Sequence, residues 1–291
     1  MSRIAYVNGR YVRHAEAAVH IEDRGYQFAD GVYEVCEIRD GFLTDERRHI
    51  DRLIRSLAEL RIRMPMSRAA LGVVLREVVR RNHVRDGLVY LQITRGVAPR
   101  NHPFPSPETE PALVVTAKSV PRSVHDHSAE AGIAVITLPD NRWDRVDIKT
   151  VGLLPNVLAK QAARDAGVYE AWLYDADGNV TEGSSTNAWI VTADGTLVTR
   201  PAEHGILRGI TRTVLMEVAA RLGVKVEERK FSVEEAKRSR EAFITGATTI
   251  VTPVVKIDDQ VIGNGAPGSV ATALRKAFHD SAERAPRWSH G

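Results

Sequence analysis

The segment VDIKTVGLLPNVLAKQ, residues 146–161, sets a lysine at position 149 inside text that otherwise reads as protein interior. Ile148 and Val151 flank it, and a charge among apolar neighbours is costly to bury without a partner. Lysine is scarce in this chain: only 8 of the 40 basic residues are lysines, and none precedes Lys118. A bias toward arginine codons explains the scarcity and leaves the position unexplained. Desolvation lowers the pKa of an amine, and an amine that is neutral part of the time can attack a carbonyl and later move protons. Lys149 is therefore a candidate Schiff-base lysine. The ordinary alternative is a surface lysine whose stem lies along apolar groups.

Working outward, 291 residues is long for one core, so two domains are expected. The first third reads as α+β. Hairpins are predicted at IAYVNGRYV and YEVCEIRDGFLTD, with Asn8-Gly9 and Asp40-Gly41 at the turns. A helix follows from Ile50, Leu53, Ile54, Leu57 and Leu60 after a Thr44/Asp45 cap, and a second from Leu71 to Val79 after Ser67. Strands are predicted at 88–94 and 112–117. The aperiodic polar stretch KSVPRSVHDHSAEA suggests a linker over 119–131, between a small domain 1–118 and a larger domain 132–291. His125 and His127 lie in that linker and are taken as solvated.

Beyond it, strands are expected near 133–138, 171–174, 188–191, 196–199, 242–245 and 251–257. Helices are expected near 156–165, 211–222 (core face Val214, Leu215, Val218 and Leu222) and 269–279, with another after a Ser232/Glu235 capping box. The tail from Glu283 onward is expected to be frayed.

Composition narrows the function. Basic and acidic residues number 40 and 37, interspersed, without the basic patch and aromatic residues of a nucleic-acid binder. No run approaches the ~18 unbroken apolar residues of a membrane span. One cysteine, Cys36, excludes an internal disulfide and fits a reducing compartment; its alternating neighbours make it a packing residue. The opening MSRIAYVNGRYV goes directly into a strand pattern, so a cytoplasmic protein is expected. No metal site is expected.

Three further stretches could carry chemistry. VTEGSSTN, 180–187, holds Glu182 followed by small polar residues: either a solvated loop, or a carboxylate facing a ring nitrogen with room for a flat ligand. In GILRGITRTV, 205–214, Gly209 precedes a helix whose first N–H groups, at Ile210 and Thr211, with the Thr211 hydroxyl, could hold an anion. FITGATTIVTPV, 243–254, could wrap the same anion, through Ala247 and Thr248. An aldehyde held by Lys149, a pyridine nitrogen by Glu182 and a phosphate by Thr211 together describe pyridoxal 5'-phosphate.

EDRGYQFADGVYEV (22–35), HIDRL (49–53), TRGVAPRNHPFP (94–105), DIKT and LAKQ (within 147–161), TEGSSTN (181–187), LRGITR (207–212) and the TP of 252–253 occur in one order along the chain. In these motifs it resembles the class IV, or fold type IV, aminotransferases, most of all the D-amino acid transaminases among them. The resemblance implies a two-domain α+β fold, with a small α/β N-terminal domain and a larger domain built on a mixed, barrel-like sheet. It implies that Lys149 bonds the cofactor and carries the proton, that Arg52 with Ile210 and Thr211 binds the phosphate, that Glu182 pairs with the pyridine nitrogen, and that Leu207 lies against the ring. Tyr33, Arg100 and His102 match the group that captures the substrate carboxylate, the last two from the neighbouring subunit of a homodimer. Without the resemblance, Arg52 would pass for a solvated charge and His102 for a loop histidine.

The implied reaction is ping-pong transfer of an amino group between a D-amino acid, such as D-alanine, and a 2-oxo acid, 2-oxoglutarate or pyruvate. Small molecules are then the only substrates, with no nucleic acid or membrane partner. Alternatives of the same fold are branched-chain L-amino acid aminotransferases, amine transaminases and aminodeoxychorismate lyase. One departure stands out: Gly246 and Ala247 occupy positions where the D-specific pattern carries more hydroxyls.

Overall fold

The computed structural model describes residues 3–203 and 205–284, which form two compact units. Of the described residues, the first unit comprises 3–122, the short segment 148–152 and 283–284; the second comprises 123–147, 153–203 and 205–282. This differs from the expected division in three ways. Residues 283–284, expected in the larger domain, belong to the first unit. Residues 148–152, with Lys149, belong to it as well, and the stretch expected as a linker contains a helix.

The first unit is built on a six-stranded antiparallel sheet in the order β2-β1-β6-β5-β3-β4. Its strands are β1 (Ile4–Val7), β2 (Arg10–Arg13), β3 (Gly31–Arg39), β4 (Phe42–Leu43), β5 (Gly87–Thr94) and β6 (Ala112–Ser119). Both hairpin turns form as expected, with Asn8, Gly9, Asp40 and Gly41 all at positive φ, where the residue types Asn, Asp and Gly are least strained. Among the described residues a 3-10 turn (His14–Glu16) and three α-helices accompany the sheet: α1 (Arg24–Phe28), α2 (Glu46–Glu59) and α3 (Arg68–Arg81).

Ile50, Leu53 and Leu57 of α2 and Leu71, Leu75 and Val78 of α3 share one apolar core with Cys36, Ile38, Val89 and Leu91 of the sheet. Ile54, counted in the α2 stripe, is 38% exposed. Ser67 caps α3 by accepting from Ala70 N. Asp45 stands at the start of α2 in the left-handed region and does not cap it; its carboxylate instead accepts from Glu283 N. The beginning of the expected frayed tail is thus tied down, and 285–291 lie outside the described residues.

In the second unit α4 (Arg122–Ala131) leads into a nine-stranded mixed sheet, ordered β12-β11-β10-β13-β14-β7-β8-β9 with β15 on β14. Its members are β7 (Ile133–Pro139), β8 (Glu170–Tyr174), β9 (Val180–Gly183), β10 (Asn187–Val191), β11 (Leu197–Thr199), β12 (Val226–Glu228), β13 (Glu241–Gly246), β14 (Ile250–Ile257) and β15 (Gln260–Val261). Helices α5 (Leu154–Asp165), α6 (Ile210–Arg221), α7 (Val233–Lys237) and α8 (Ser269–Ser281) complete it.

The central strands β10 and β13 are covered on both faces, which is why they read as near-continuous apolar runs. Trp189 and Phe243 stack at 5.6 Å within the core shared with α6 and α8, while Ile190 and Ile244 join the core of the opposite face. On α6, Val214, Leu215 and Val218 are buried as expected. Leu222 is 48% exposed because it lies past the last helical turn, just before Gly223 at positive φ. Ser232 caps α7 through Glu235 N, but the Glu235 carboxylate turns to Arg229, so the reciprocal half of a capping box is missing.

Candidate functional site

Lys149 reaches its place because the segment 149–151 is bound to β3 through a single bridge at Thr150. Tyr33 N donates to Lys149 O at 3.0 Å, Val151 N donates to Gly31 O at 3.0 Å, and Val32 pairs with Thr150. Ile148 fills the core of the first unit, while the Lys149 side chain turns to Tyr33. The half-buried amine lies 3.3 Å from the Tyr33 hydroxyl and 4.3 Å from the centre of its ring. Tyr33 in turn stacks on Tyr90, whose phenol burial pushes up to about 12, with Tyr33 adding to the effect. The lysine in an apolar segment thus has a backbone reason and a side-chain partner.

Arg52 is no solvated charge. Its side chain is only 9% exposed, and its guanidinium grips Glu34 bidentately, Nε to Oε1 at 2.7 Å and Nη2 to Oε2 at 2.8 Å; His49 Nδ1 stands 2.7 Å from the same Oε2. Burial alone would raise the Glu34 carboxyl. The charge and hydrogen bonds of Arg52, together with His49, overcome that and hold it at about 2. For Arg52 burial works against the charge and Glu34 prevails, so the cation is fixed. One turn along α2, on the same face, the Ser56 hydroxyl accepts from Lys149 N at 3.4 Å. Arg52 and Lys149 are therefore anchored to adjoining turns of one helix.

Arg100 and His102 come together on Phe28 at the end of α1. The guanidinium carbon of Arg100 is 4.5 Å above that ring, and the His102 ring is 5.5 Å from it. Both side chains are exposed.

In the second unit, Glu182 is buried on β9, which corrects the view of 180–187 as a solvated loop. Its carboxylate accepts from Arg142 Nη1 at 2.6 Å, from Asn187 Nδ2 at 2.9 Å and from Leu207 N at 3.2 Å. Burial leaves its pKa above the usual carboxylate value despite the opposing charge of Arg142. Arg142 also binds Asp140 through Nε and Nη2, and Asp140 accepts from the Thr181 hydroxyl. Leu207 is held next to Glu182 by its backbone, since Asn187 Nδ2 donates to Leu207 O as well. The hydroxyls of Ser184, Ser185 and Thr186 point to the buried carboxylate of Glu170, which shapes the turn after Glu182.

Asn187 is also where the anion-binding elements meet. It pairs with Thr245 across β10 and β13, and Gly209 approaches so closely that a Cβ there would lie 2.1 Å from Asn187 Oδ1. Gly209 opens α6 with no side-chain cap, leaving the first N–H groups, those of Ile210 and Thr211 among them, as donors at the positive end of a 12-residue helix. Beyond Thr245, Ala247 and Thr248 are half-buried in the turn from Gly246 to Thr249. There the Thr249 hydroxyl is buried without a partner among the described residues, and Ile250 adopts φ +57°. A β-branched residue in that region is a strained choice of the kind concentrated at ligand sites.

Five of the expected site residues lie in the first unit and six in the second. The sequence reading missed Glu34, Arg142, Asp140, Asn187 and Glu170. Glu34 had a signal: it shares the inward parity of Cys36 and Ile38 on β3, where a charge requires a partner. Arg142 and Asp140, in an aperiodic polar stretch, had none. An amine beside a phenol, a buried carboxylate that can accept a pyridine N–H, and uncapped helix donors with an orphaned hydroxyl are the groups pyridoxal 5'-phosphate requires, so the residues present fit it.

Comparison with known proteins agrees. The family model for amino-transferase class IV matches residues 31–257. A D-alanine aminotransferase of Bacillus licheniformis is 43% identical over 274 residues, 94% of this chain and 95% of that one. Among solved structures, the branched-chain amino acid aminotransferase of Escherichia coli superposes with a TM-score of 0.89 at 26% identity. A T.th. branched-chain amino acid aminotransferase, solved with pyridoxamine 5'-phosphate, superposes with 0.88 at 28%. Each pairing covers 96% of this chain and 94% of the other. The chain belongs to the class IV aminotransferases and has their fold type IV architecture. It is an aminotransferase that depends on pyridoxal 5'-phosphate.

Proposed function

We propose that this enzyme exchanges an amino group between a D-amino acid, such as D-alanine, and a 2-oxo acid, 2-oxoglutarate or pyruvate. The observation that carries the D-specific choice is that Arg100 and His102 both rest on the Phe28 ring, in a chain 43% identical to a D-alanine aminotransferase. A guanidinium offers the bidentate match a carboxylate needs. Tyr33 is the third member of that group.

When bound, pyridoxal 5'-phosphate supplies an electron sink for the pair left at Cα. Lys149 would be its covalent anchor; Arg52, Ile210 and Thr211 would hold its phosphate, with the turn that contains Ala247 and Thr248. Glu182 accepts the pyridine N–H, and Leu207 packs against the ring. The Lys149 amine would take the Cα proton and deliver it to C4' of the cofactor, across the transferred nitrogen, with the Tyr33 hydroxyl 3.3 Å away to orient it. Because Lys149 works from one side, the accepted enantiomer is the one that points its Cα hydrogen at Nζ while its carboxylate reaches Arg100 and His102. Those two residues act in the site of a second copy, in a cytoplasmic homodimer. No helix of the described residues is long and apolar enough to cross a membrane.

The test is an absorbance scan of the cofactor-loaded protein with D-alanine, L-alanine and L-leucine in turn. Conversion of the cofactor band by D-alanine alone, abolished in Lys149→Ala, is the expected result. Conversion by L-leucine alone would transfer the enzyme to the branched-chain class, and pyruvate release without an amino acceptor to the lyases.

A further inference from the structure

The arm that carries Arg100 and His102 is held by an arginine with no assigned role. Arg24 is 3% exposed, and its guanidinium makes contacts in several directions. Nε donates to Asp30 Oδ2 at 2.8 Å, Nη1 to Asn101 O at 2.6 Å and Nη2 to His102 O at 3.2 Å. Its guanidinium carbon also lies 4.8 Å from the centre of the Phe28 ring, the ring that supports Arg100 and His102. One side chain therefore fixes both the backbone of the arm at 101–102 and the platform on which its two functional side chains rest.

The surroundings leave the clamp little freedom. Asp30 also takes Arg95, through Nε at 2.7 Å and Nη2 at 2.9 Å, and Arg95 binds the Leu60 and Arg61 carbonyls and stands 3.7 Å from the Phe104 ring. The Arg24 backbone N–H donates to Gly96 O, and Asp23 caps α1 while accepting from the Thr94 hydroxyl. A purely structural ion pair needs only Asp30. The two extra bonds to the backbone carbonyls of Asn101 and His102, one in each peptide that flanks His102, are what that role leaves unexplained.

We propose that Arg24 is a positioning residue for carboxylate capture: it holds the arm so that the Arg100 and His102 side chains are presented together on Phe28. This rests on the assignment of those two residues made above. A planar fork with several donors serves Asp30 and two carbonyls at once, whereas a lysine ammonium is a single point. Arg24→Lys therefore keeps the charge and loses the geometry.

The experiment compares cofactor-loaded wild type, Arg24→Lys and Phe28→Leu. KM for D-alanine and for 2-oxoglutarate should rise by about tenfold, the effect of roughly 1.4 kcal/mol of lost binding, with kcat within about threefold. The inhibition constant of propionate, a carboxylate without an amine, should rise in parallel. Cofactor absorbance and melting temperature should stay close to wild type in Phe28→Leu, where the ion pair is intact. Unchanged KM and propionate inhibition in both variants, with wild type active on D-alanine, would overturn the proposal. So would a loss of melting temperature and cofactor content in Arg24→Lys with KM unmoved, which marks a purely structural arginine. Wild type inert to D-alanine would instead remove the assignment beneath it.

Discussion

Replacing Glu34 with glutamine should weaken the first unit in a way that depends on pH. The carboxyl is fully enclosed and held at about 2 against an ordinary 4.5, which favours the folded state by about 3 kcal/mol at neutral pH, at roughly 1.4 kcal/mol per tenfold in proton affinity. The unfolded chain binds the proton first, so this stabilisation is complete well above pH 4.5 and is lost as pH falls toward 2. Glutamine cannot contribute it at any pH, and it also strands the Arg52 cation, for which breaking such a pair costs about 3–5 kcal/mol in all. Urea unfolding of wild type and Glu34→Gln, followed by circular dichroism from pH 7 to pH 3, measures the gap. It should be about 3 kcal/mol or more at pH 7 and narrower by about 2 kcal/mol at pH 3. A gap that stays constant over this range, or that is under about 1 kcal/mol at pH 7, refutes the claim that Arg52 and His49 hold this carboxylate ionised.

Two further outcomes follow from the second unit. Glu182→Gln keeps the shape and removes the charge that faces Arg142, and kcat should fall by at least about tenfold while KM for D-alanine moves little; steady-state kinetics decides, and an unchanged kcat would show that the carboxylate does not act on the cofactor. Ser232→Ala removes the acceptor for Glu235 N, 3.0 Å away, and should cost about 1 kcal/mol, a drop of roughly 2–4 °C in melting temperature; no shift would mean that Arg229 alone holds the start of α7.

Local signals carried the fold a long way, because turns and helix faces are written in adjacent residues. Asn8-Gly9, Asp40-Gly41 and the Ser67 cap form as read. What escaped depends on partners distant in sequence. Arg52 looked solvated until Glu34, 18 residues earlier, is placed opposite it. Asp45 looked like a cap until Glu283 takes its carboxylate. The stretch around His125 and His127 reads as a linker because α4 buries little of itself: Ala129 is the one buried residue of that helix. At the site, Lys149 and Glu182 stood out as charges in apolar or small-residue text, whereas Arg142 and Glu170 matter only through the carboxylate and hydroxyls that other strands bring to them.

The chain crosses from one unit to the other after residues 122, 147, 152 and 282. Recombining two relatives by a single exchange at residue 122 would accordingly combine β3 and α2 of one parent with the lysine segment of the other. The main-chain bonds of Gly31 and Tyr33 to that segment would carry over, being independent of side chains. The Ser56 hydroxyl and the seat of Ile148 would not, unless both parents agree there. Hybrids should therefore inherit residues 148–152 together with the first 122, as one block.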